Sequence, residues 1–359
     1  MSKPRFSFVL PCRNEEASVG ECIDNIRKAA RGSSYEIIIV DNSSSDRSAE
    51  LARRAGARVL EEKRIGYGAA LLRGISAARG EIIIMGDADG TYDFSEFKKL
   101  VNKLSNSDIV LGSRMNGSMR RGAMPFLNRY VGNPLLRAIL NLFFRARLSD
   151  PQTGFRAFRK KTVMALKLKT TGMEFASEML INAITKGLRI SEVPISYYPR
   201  RAPSKLRPVS DGWRHLRFLL MYSPTYLFII PGAVLMLVGI SLLIAYLSFN
   251  ASISLGILGS MLSILGYQTI STGLYARTYS IANGFTPHDQ FIDLLARYFP
   301  LERTILLGGS VFLVALTAGI ISARHNLKSV PLVALTFLII GIQTIFSGFF
   351  LSIMLVERR

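Results

Sequence analysis

Little in this chain can cross-link it or bind a transition metal. Its 359 residues include two cysteines, three histidines and one tryptophan. Two cysteines cannot staple a chain this long, so a disulfide scaffold is excluded. Cys12 and Cys22 fit no zinc or redox spacing and read as small core residues. His215, His288 and His325 share no ligand spacing. No Gly-x-x-x-x-Gly-Lys-Ser/Thr occurs, which removes the support for P-loop chemistry. Acidic residues are scarce: 25 Asp+Glu stand against 45 Lys+Arg, a net charge of +20. Such an excess calls for a polyanionic partner, whether nucleic acid, an anionic membrane or phosphorylated substrates. With 49% hydrophobic residues, the chain can bury a core, so disorder is excluded as well.

Charge of either sign is missing from long stretches. Phe218 to Ala276 runs 59 residues without Asp, Glu, Lys, Arg or His. Thr304 to Ala323 and Ser329 to Val356 repeat this over 20 and 28 residues. A helix needs roughly 20 apolar residues to cross a bilayer core, so the long run holds two crossings, parted at Asn250-Ala-Ser. The expected spans lie near 226–248, 254–276, 304–323 and 330–356. Phe285 to Phe299, with Asp289, Asp293 and Arg297 on its polar side, reads as an interfacial helix.

The first 217 residues carry 38 Lys+Arg against 21 Asp+Glu, so the basic excess belongs to them. Met1 to Arg13 has no apolar core of signal-peptide length. The N-terminal part is therefore expected on the cytoplasmic side, with four spans returning the C-terminus there. Arg277, Arg297, Arg303, Arg358 and Arg359 fall inside on that reading, against Arg324 and Lys328 outside, in agreement with the positive-inside rule. The expected organisation is a cytosolic domain over 1–208, an interfacial amphipathic segment over 209–225 anchored by Trp213, and a membrane domain over 226–359.

Within 1–208, apolar runs alternate with helical periodicity. Phe6–Leu10, Ile37–Val40, Ile82–Met85 and Asp108–Leu111 read as buried strands. Helical patterns separate them. This predicts a mostly parallel sheet with helices on both faces. Ligands sit beyond the carboxyl ends of such strands. Four segments qualify: Pro11–Glu15, Asp41–Asp46, Asp87–Asp89 and Gly112–Arg114. Paired carboxylates two apart, such as Asp87 and Asp89, suit one hard divalent cation that bridges phosphates. Asp41 can accept hydrogen bonds from a base or ribose, or cap the next helix, a task the neighbouring Ser43–Asp46 can also perform.

Together these segments resemble the signature loops of family 2 glycosyltransferases with the A-type fold. The residues are Pro11-Cys-Arg-Asn-Glu15, Ile38-Ile-Val-Asp41-Asn-Ser-Ser-Ser-Asp46 and Asp87-Ala-Asp89. The likeness extends to Gly112-Ser-Arg114, Asn128–Asn133, Asp150-Pro-Gln-Thr-Gly-Phe-Arg156, Glu174–Glu178 and Glu192–Ile195. Within the family the pattern is similar to polyprenyl-phosphate (dolichyl-phosphate) glucose and mannose synthases. The resemblance implies a Rossmann-like nucleotide-sugar-binding α/β domain, followed here by a helical membrane domain of four spans. It implies that Pro11, Arg13, Glu15 and Asp41 contact the nucleotide, with Ile39 lining it. Asp87, Ala88 and Asp89 would hold the diphosphate through Mg²⁺ or Mn²⁺. Arg114 would face the phosphates, with Arg200 and Lys205 on a basic loop over the donor. Arg129, Asn133 and Asp150 are the candidates at the acceptor phosphate. Three departures stand out: Asp41-Asn-Ser in place of Asp-Asp-Gly, Gly90-Thr91 in place of Leu-Gln, and an Arg200-to-Lys205 spacing that differs from the usual Arg…Gly-x-Ser-Lys. The Asp87-Ala-Asp-Gly-Thr91 form favours UDP-glucose over GDP-mannose as donor.

A lipid phosphate is already an anion, so its attack needs no strong general base. It needs charge compensation instead, and arginine forks match phosphate oxygens. Arg114, Arg120, Arg121, Arg129, Arg137, Arg145 and Arg147 crowd one stretch with Pro125-Phe-Leu127 and the apolar residues from Leu135 to Phe144. That stretch reads as amphipathic and interfacial. The expected partners are a nucleotide-sugar, a polyprenyl phosphate and membrane lipid, with homo-oligomers compatible and nucleic acid excluded for want of a module. Transfer to a lipid hydroxyl is the rival enzyme reading, and would need a carboxylate base near Asp150. A flippase with a degenerate domain conflicts with uncharged spans. No Gln precedes an Arg-Trp pair, which disfavours chain polymerisation.

Overall fold

A computed structural model describes residues 3–202, 208–249, 251–282, 290–325, 327 and 329–356. Lys205, Asn250, Lys328, Arg358, Arg359 and the 285–289 part of the expected interfacial helix lie outside the described residues. In chain order the elements are β1 (Phe6–Cys12), α1 (Val19–Ala29), β2 (Tyr35–Asp41), α2 (Ser48–Arg54), β3 (Arg58–Glu61), α3 (Tyr67–Ala77), β4 (Ile82–Met85), α4 (Phe97–Lys103), β5 (Ile109–Met119), α5 (Asn133–Phe144), β6 (Arg156–Arg159), α6 (Lys160–Ala165), α7 (Phe175–Thr185), β7 (Ile190–Tyr197), α8 (Pro208–Met221), α9 (Ile230–Ser248), α10 (Ile253–Ala282), α11 (Gln290–Tyr298), α12 (Leu301–His325) and α13 (Val330–Val356). Two compact units divide the chain, Met1–Leu219 and Leu220–Arg359.

The first unit is built on one seven-stranded sheet in the order β3-β2-β1-β4-β6-β5-β7. The central strands are apolar without interruption because helices cover both faces. Phe8, Val9, Leu10, Ile38, Ile39, Val40, Ile83 and Ile84 have no exposed surface. Helix α1 lays Val19, Cys22, Ile23 and Ile26 on one face, and Phe8, Phe94 and Phe97 pack edge to face beneath it. Cys12 and Cys22 are buried here, and burial pushes both thiols up to about 12.

The sheet is mostly parallel, as expected, with the short strand β6 antiparallel to both neighbours, β4 and β5. One expectation needs correction: Gly112-Ser-Arg114 does not lie in a loop beyond a strand. It sits inside β5, which continues to Met119 because β7 pairs with it past the end of the apolar run, Gly112 opposite Val193 and Ser118 opposite Ser196. The reversal at β6 has a positional result. Met85 pairs with Arg156, so the residues entering β6 and the residues leaving β4 share one edge of the sheet.

Segment 126–144 exposes much of its apolar surface. Phe126, Tyr130, Leu135 and Leu142 are each more than half exposed, while Leu136 and Leu140 are buried. Helix α8 buries Phe218, Leu219 and His215, with Trp213 exposed, and the His215 ring Nδ1 lies 3.1 Å from Ser177 Oγ.

In the second unit, four helices are long and apolar enough to cross a membrane: Thr225–Ser248, Ile253–Ile281, Leu301–His325 and Val330–Leu355. They pair as α9 with α10 and α12 with α13 through glycine contacts. A Cβ on Gly266 would lie 2.4 Å from Met236 N, and one on Gly308 2.7 Å from Gly341 O. Hydroxyls join the pairs: Tyr267 donates to Thr344 (2.9 Å), Tyr275 to Ser347 (2.6 Å) and Thr336 to Ser260 (2.8 Å).

Candidate active site

The strand ends converge on one cleft. Asp41 closes β2, and the backbone after β1 turns through Asn14, whose φ of +50° is left-handed. Asn14 Oδ1 accepts from Ser45 N–H at 2.7 Å, Asn14 N–H donates to Ser44 Oγ at 3.0 Å, and Glu15 N–H donates to Ser48 Oγ at 2.7 Å. These bonds bolt Pro11–Glu15 to Asp41–Asp46. Asp46 Oδ1 accepts from Ser48 N–H at 2.9 Å, at the start of α2. Asp41 is therefore released from capping, and its buried Oδ1 has no partner among the described residues. Pro11 is half-buried, Arg13 exposed and Ile39 buried.

Beyond β4, Asp87 and Asp89 stand two residues apart, with Ala88 buried between them. Ser18 Oγ donates to the Ala88 carbonyl at 2.8 Å, which holds the turn. Asp89 Oδ1 accepts from Thr91 N–H and Oγ–H, at 3.1 and 2.7 Å. Asp87 Oδ1 is buried and has no partner among the described residues. Burial, followed by the nearby Asp89 charge, pushes the Asp87 carboxyl up to about 7, against a hydrogen bond from Tyr67. Arg200 forms an ion pair with Glu15, and its Nε lies 3.7 Å from Asp89 Oδ2. Three of the segments named from sequence thus line a single carboxylate-rich floor with one arginine over it. Among the described residues no three His, Cys, Asp or Glu side chains gather to hold a metal. The unpartnered Asp87 oxygen and the adjacent Asp89 fit a hard cation that draws its remaining ligands from substrate oxygens and water.

Arg114 and Asp150 meet on the β5 side. Arg114 Nε and Nη2 donate to Asp150 Oδ2 and Oδ1 at 2.7 and 2.8 Å, and Arg114 N–H adds a third bond at 2.9 Å. Asp150 N–H in turn donates to Glu192 Oε1 at 2.9 Å. Burial works against the Arg114 charge, but Asp150 outweighs it and holds the guanidinium well above its ordinary pKa. The Tyr197 ring lies 5.2 Å from Arg114 Cζ. Arg129 lies over the Tyr130 ring (5.4 Å), and Asn133 Nδ2 donates to Met124 Sδ at 3.3 Å. No described hydrogen bond or ion pair links either residue to Arg114 or Asp150.

Sequence reading missed the walls of the cleft. Arg156 is fully buried and donates to the carbonyls of Pro151, Thr153 and Ala176, each at 2.9 Å. Burial lowers it to about 10. Gly154 N–H donates to Tyr92 OH at 2.8 Å, and Tyr92 stacks on Phe155. Gly154, Phe155 and Arg156 lie in the Asp150–Arg156 likeness, which marks the segment without revealing these roles.

Residues 7–166 match the family described as glycosyl transferase family 2, and residues 274–355 match the glycosyltransferase family 2 C-terminal transmembrane region. The low-salt glycan biosynthesis hexosyltransferase Agl6 of Haloferax volcanii is 37% identical over 97% of this chain and 89% of its own length. A dolichyl-phosphate hexose transferase of the same organism is 33% identical, over 57% of this chain and 88% of its own. A solved mycobacterial protein superposes with a TM-score of 0.51 at 25% identity, covering 61% of this chain and 74% of that one. This chain belongs to glycosyltransferase family 2, an enzyme with the A-type catalytic domain followed by the family's C-terminal transmembrane region.

Proposed function

We propose that the enzyme transfers a hexose from a nucleotide-sugar, UDP-glucose ahead of GDP-mannose, to a polyprenyl phosphate. One observation carries the choice of acceptor. The carboxylate nearest the expected acceptor position, Asp150, is 1% exposed and holds Arg114 with both oxygens. A carboxylate so engaged is unavailable as a general base. A hydroxyl acceptor needs such a base and a phosphate acceptor does not. The name of the dolichyl-phosphate hexose transferase relative supports the same choice.

In this reading the nucleoside lies by Pro11, Arg13 and Asp41, and the diphosphate by Asp87, Asp89 and Arg200. Mg²⁺ or Mn²⁺ held by Asp87 and Asp89 would neutralise charge on the departing diphosphate. Arg200 turns from Glu15 towards the diphosphate when the donor arrives. Arg114, kept in place by Asp150, faces the phosphates, with Arg129 and Asn133 at the acceptor phosphate. Attack on the anomeric carbon inverts its configuration. The exposed apolar and basic surface of segment 120–145 rests on the cytoplasmic leaflet, where each basic residue contributes about 1 kcal/mol.

The test incubates purified protein with polyprenyl phosphate and radiolabelled UDP- and GDP-sugars, with and without Mn²⁺. Labelled lipid from one donor is expected. Transfer to diacylglycerol without any lipid phosphate would refute the proposal.

A further inference from the structure

The loop entering β6 contains an amide without a function. Both side-chain polar atoms of Gln152 are closed to solvent, and neither has a partner among the described residues. Its neighbours are committed elsewhere: Asp150 to Arg114, the Pro151 carbonyl to Arg156, and Gly154 N–H to Tyr92. From Asp150 to Phe158, Gln152 is the only residue that is not buried as a whole. The residue is thus partly exposed although its two amide atoms are not, and a turn of the side chain would present an unmatched donor and acceptor together.

The two unmatched atoms differ in kind, and that narrows the ligand. A phosphate offers only acceptors and would satisfy the Nε2 N–H donors alone. A cation would satisfy only the amide oxygen. Two neighbouring hydroxyls of a sugar satisfy both at once, because each hydroxyl donates and accepts. A nucleobase edge also offers both kinds, but topology sets it apart. The sheet order runs β2, β1, β4, β6. Asp41 ends β2, Asp87 follows β4, and Gln152 precedes β6 at the same edge, since Met85 pairs with Arg156. Along this edge a nucleoside by Asp41 and a diphosphate by Asp87 and Asp89 leave the β6 position for the group after the diphosphate. Gly154 belongs to this corner too, for a Cβ there would lie 2.7 Å from Asp87 Oδ2.

We infer that the Gln152 amide reads adjacent hydroxyls of the hexose being transferred, and so sets which hexose the enzyme accepts. The inference rests on the donor reading above. Its test is calorimetric binding to the full-length protein in detergent, using UDP, GDP, UDP-glucose, UDP-galactose and GDP-mannose. Wild type is expected to bind its preferred nucleotide-sugar more tightly than the bare nucleoside diphosphate. Gln152→Ala should weaken the nucleotide-sugar about tenfold or more, leave the bare diphosphate unchanged and flatten the preference between glucose and galactose. Gln152→Glu, which keeps the size and the acceptor but loses the donor, should fall between the two. Loss of sugar and bare diphosphate binding in parallel, or of neither, in both variants would overturn the role of Gln152 while leaving the donor reading intact. Wild-type protein that binds no nucleotide-sugar more tightly than its diphosphate would overturn both.

Discussion

Arg114 and Asp150 are joined by two parallel side-chain hydrogen bonds inside a site that exposes 9% of one side chain and 1% of the other. Neither charge has water to fall back on. Removing one partner of a buried pair costs about 3–5 kcal/mol, because the other is left unmatched. Asp150→Ala is therefore expected to lower the unfolding midpoint by several degrees. The double variant Arg114→Met, Asp150→Leu should lose clearly less than the two single losses combined, as thermal unfolding in detergent will show.

Asp87 predicts a pH effect with a definite sign. Its carboxyl is raised to about 7 by burial and by Asp89, so in the metal-free protein it keeps a proton that the unfolded chain has already lost. Stability attached to that proton is complete at low pH and disappears as pH climbs through about 7. Asp87→Asn should accordingly raise the unfolding midpoint of metal-free protein much more at pH 8 than at pH 5. The same variant should lose Mn²⁺ binding, read by electron paramagnetic resonance. Equal shifts at the two pH values would contradict the assignment.

Gly154 stands where a methyl group has no room. A Cβ there would approach Asp87 Oδ2 to 2.7 Å and Tyr67 OH to 3.0 Å. Gly154→Ala is expected to displace the Asp87 carboxylate and reduce turnover by about a hundredfold. The unfolding midpoint should move little, since only the cleft wall is disturbed. Turnover and thermal unfolding on one preparation separate the two effects.

In the membrane unit, Gly266 lets α10 touch the backbone of α9. A Cβ would lie 2.4 Å from Met236 N and 2.7 Å from Gly232 O. Gly266→Leu should force these helices apart and lower the detergent-solubilised yield and the unfolding midpoint. Tyr275→Phe removes one hydroxyl pair and should cost only about 0.6 kcal/mol. The contrast between the two variants, measured in the same detergent, tests whether close packing outweighs hydrogen bonding here.

Much of the architecture is legible in the chain. Spans show because a bilayer excludes charge, and Phe218 to Ala276 contains none. The central strands show because Ile37–Val40 and Ile82–Met85 are apolar on both faces. Asp87 and Asp89 stand out because a carboxylate pair directly after such a strand has no packing reason to exist. Strand β6 does not show: Arg156-Ala-Phe-Arg159 is four residues with a charge at each end, and its antiparallel pairing depends on partners far away in sequence. Arg156 looks like a surface residue, yet its charge is satisfied by three carbonyls that only the folded loop brings together. Gly112-Ser-Arg114 reads as a loop because its polarity breaks the apolar run, and only the register with β7 reveals a continuing strand. Gln152 falls within the Asp150–Arg156 likeness, but its two unmatched atoms are visible only once the loop is folded.

The hydroxyl pairs between α10 and α13 bear on biogenesis. Each glycine-packed hairpin, α9–α10 and α12–α13, joins consecutive spans and can close as soon as its own second helix enters the bilayer. Tyr267, Tyr275 and Ser260 must then wait for Thr344, Ser347 and Thr336, which are synthesised more than 70 residues later. Until that moment the first hairpin carries three unmatched hydroxyls on one side. The pairing of the two hairpins, about 0.6 kcal/mol for each hydroxyl bond, is therefore the last packing step open to the membrane unit.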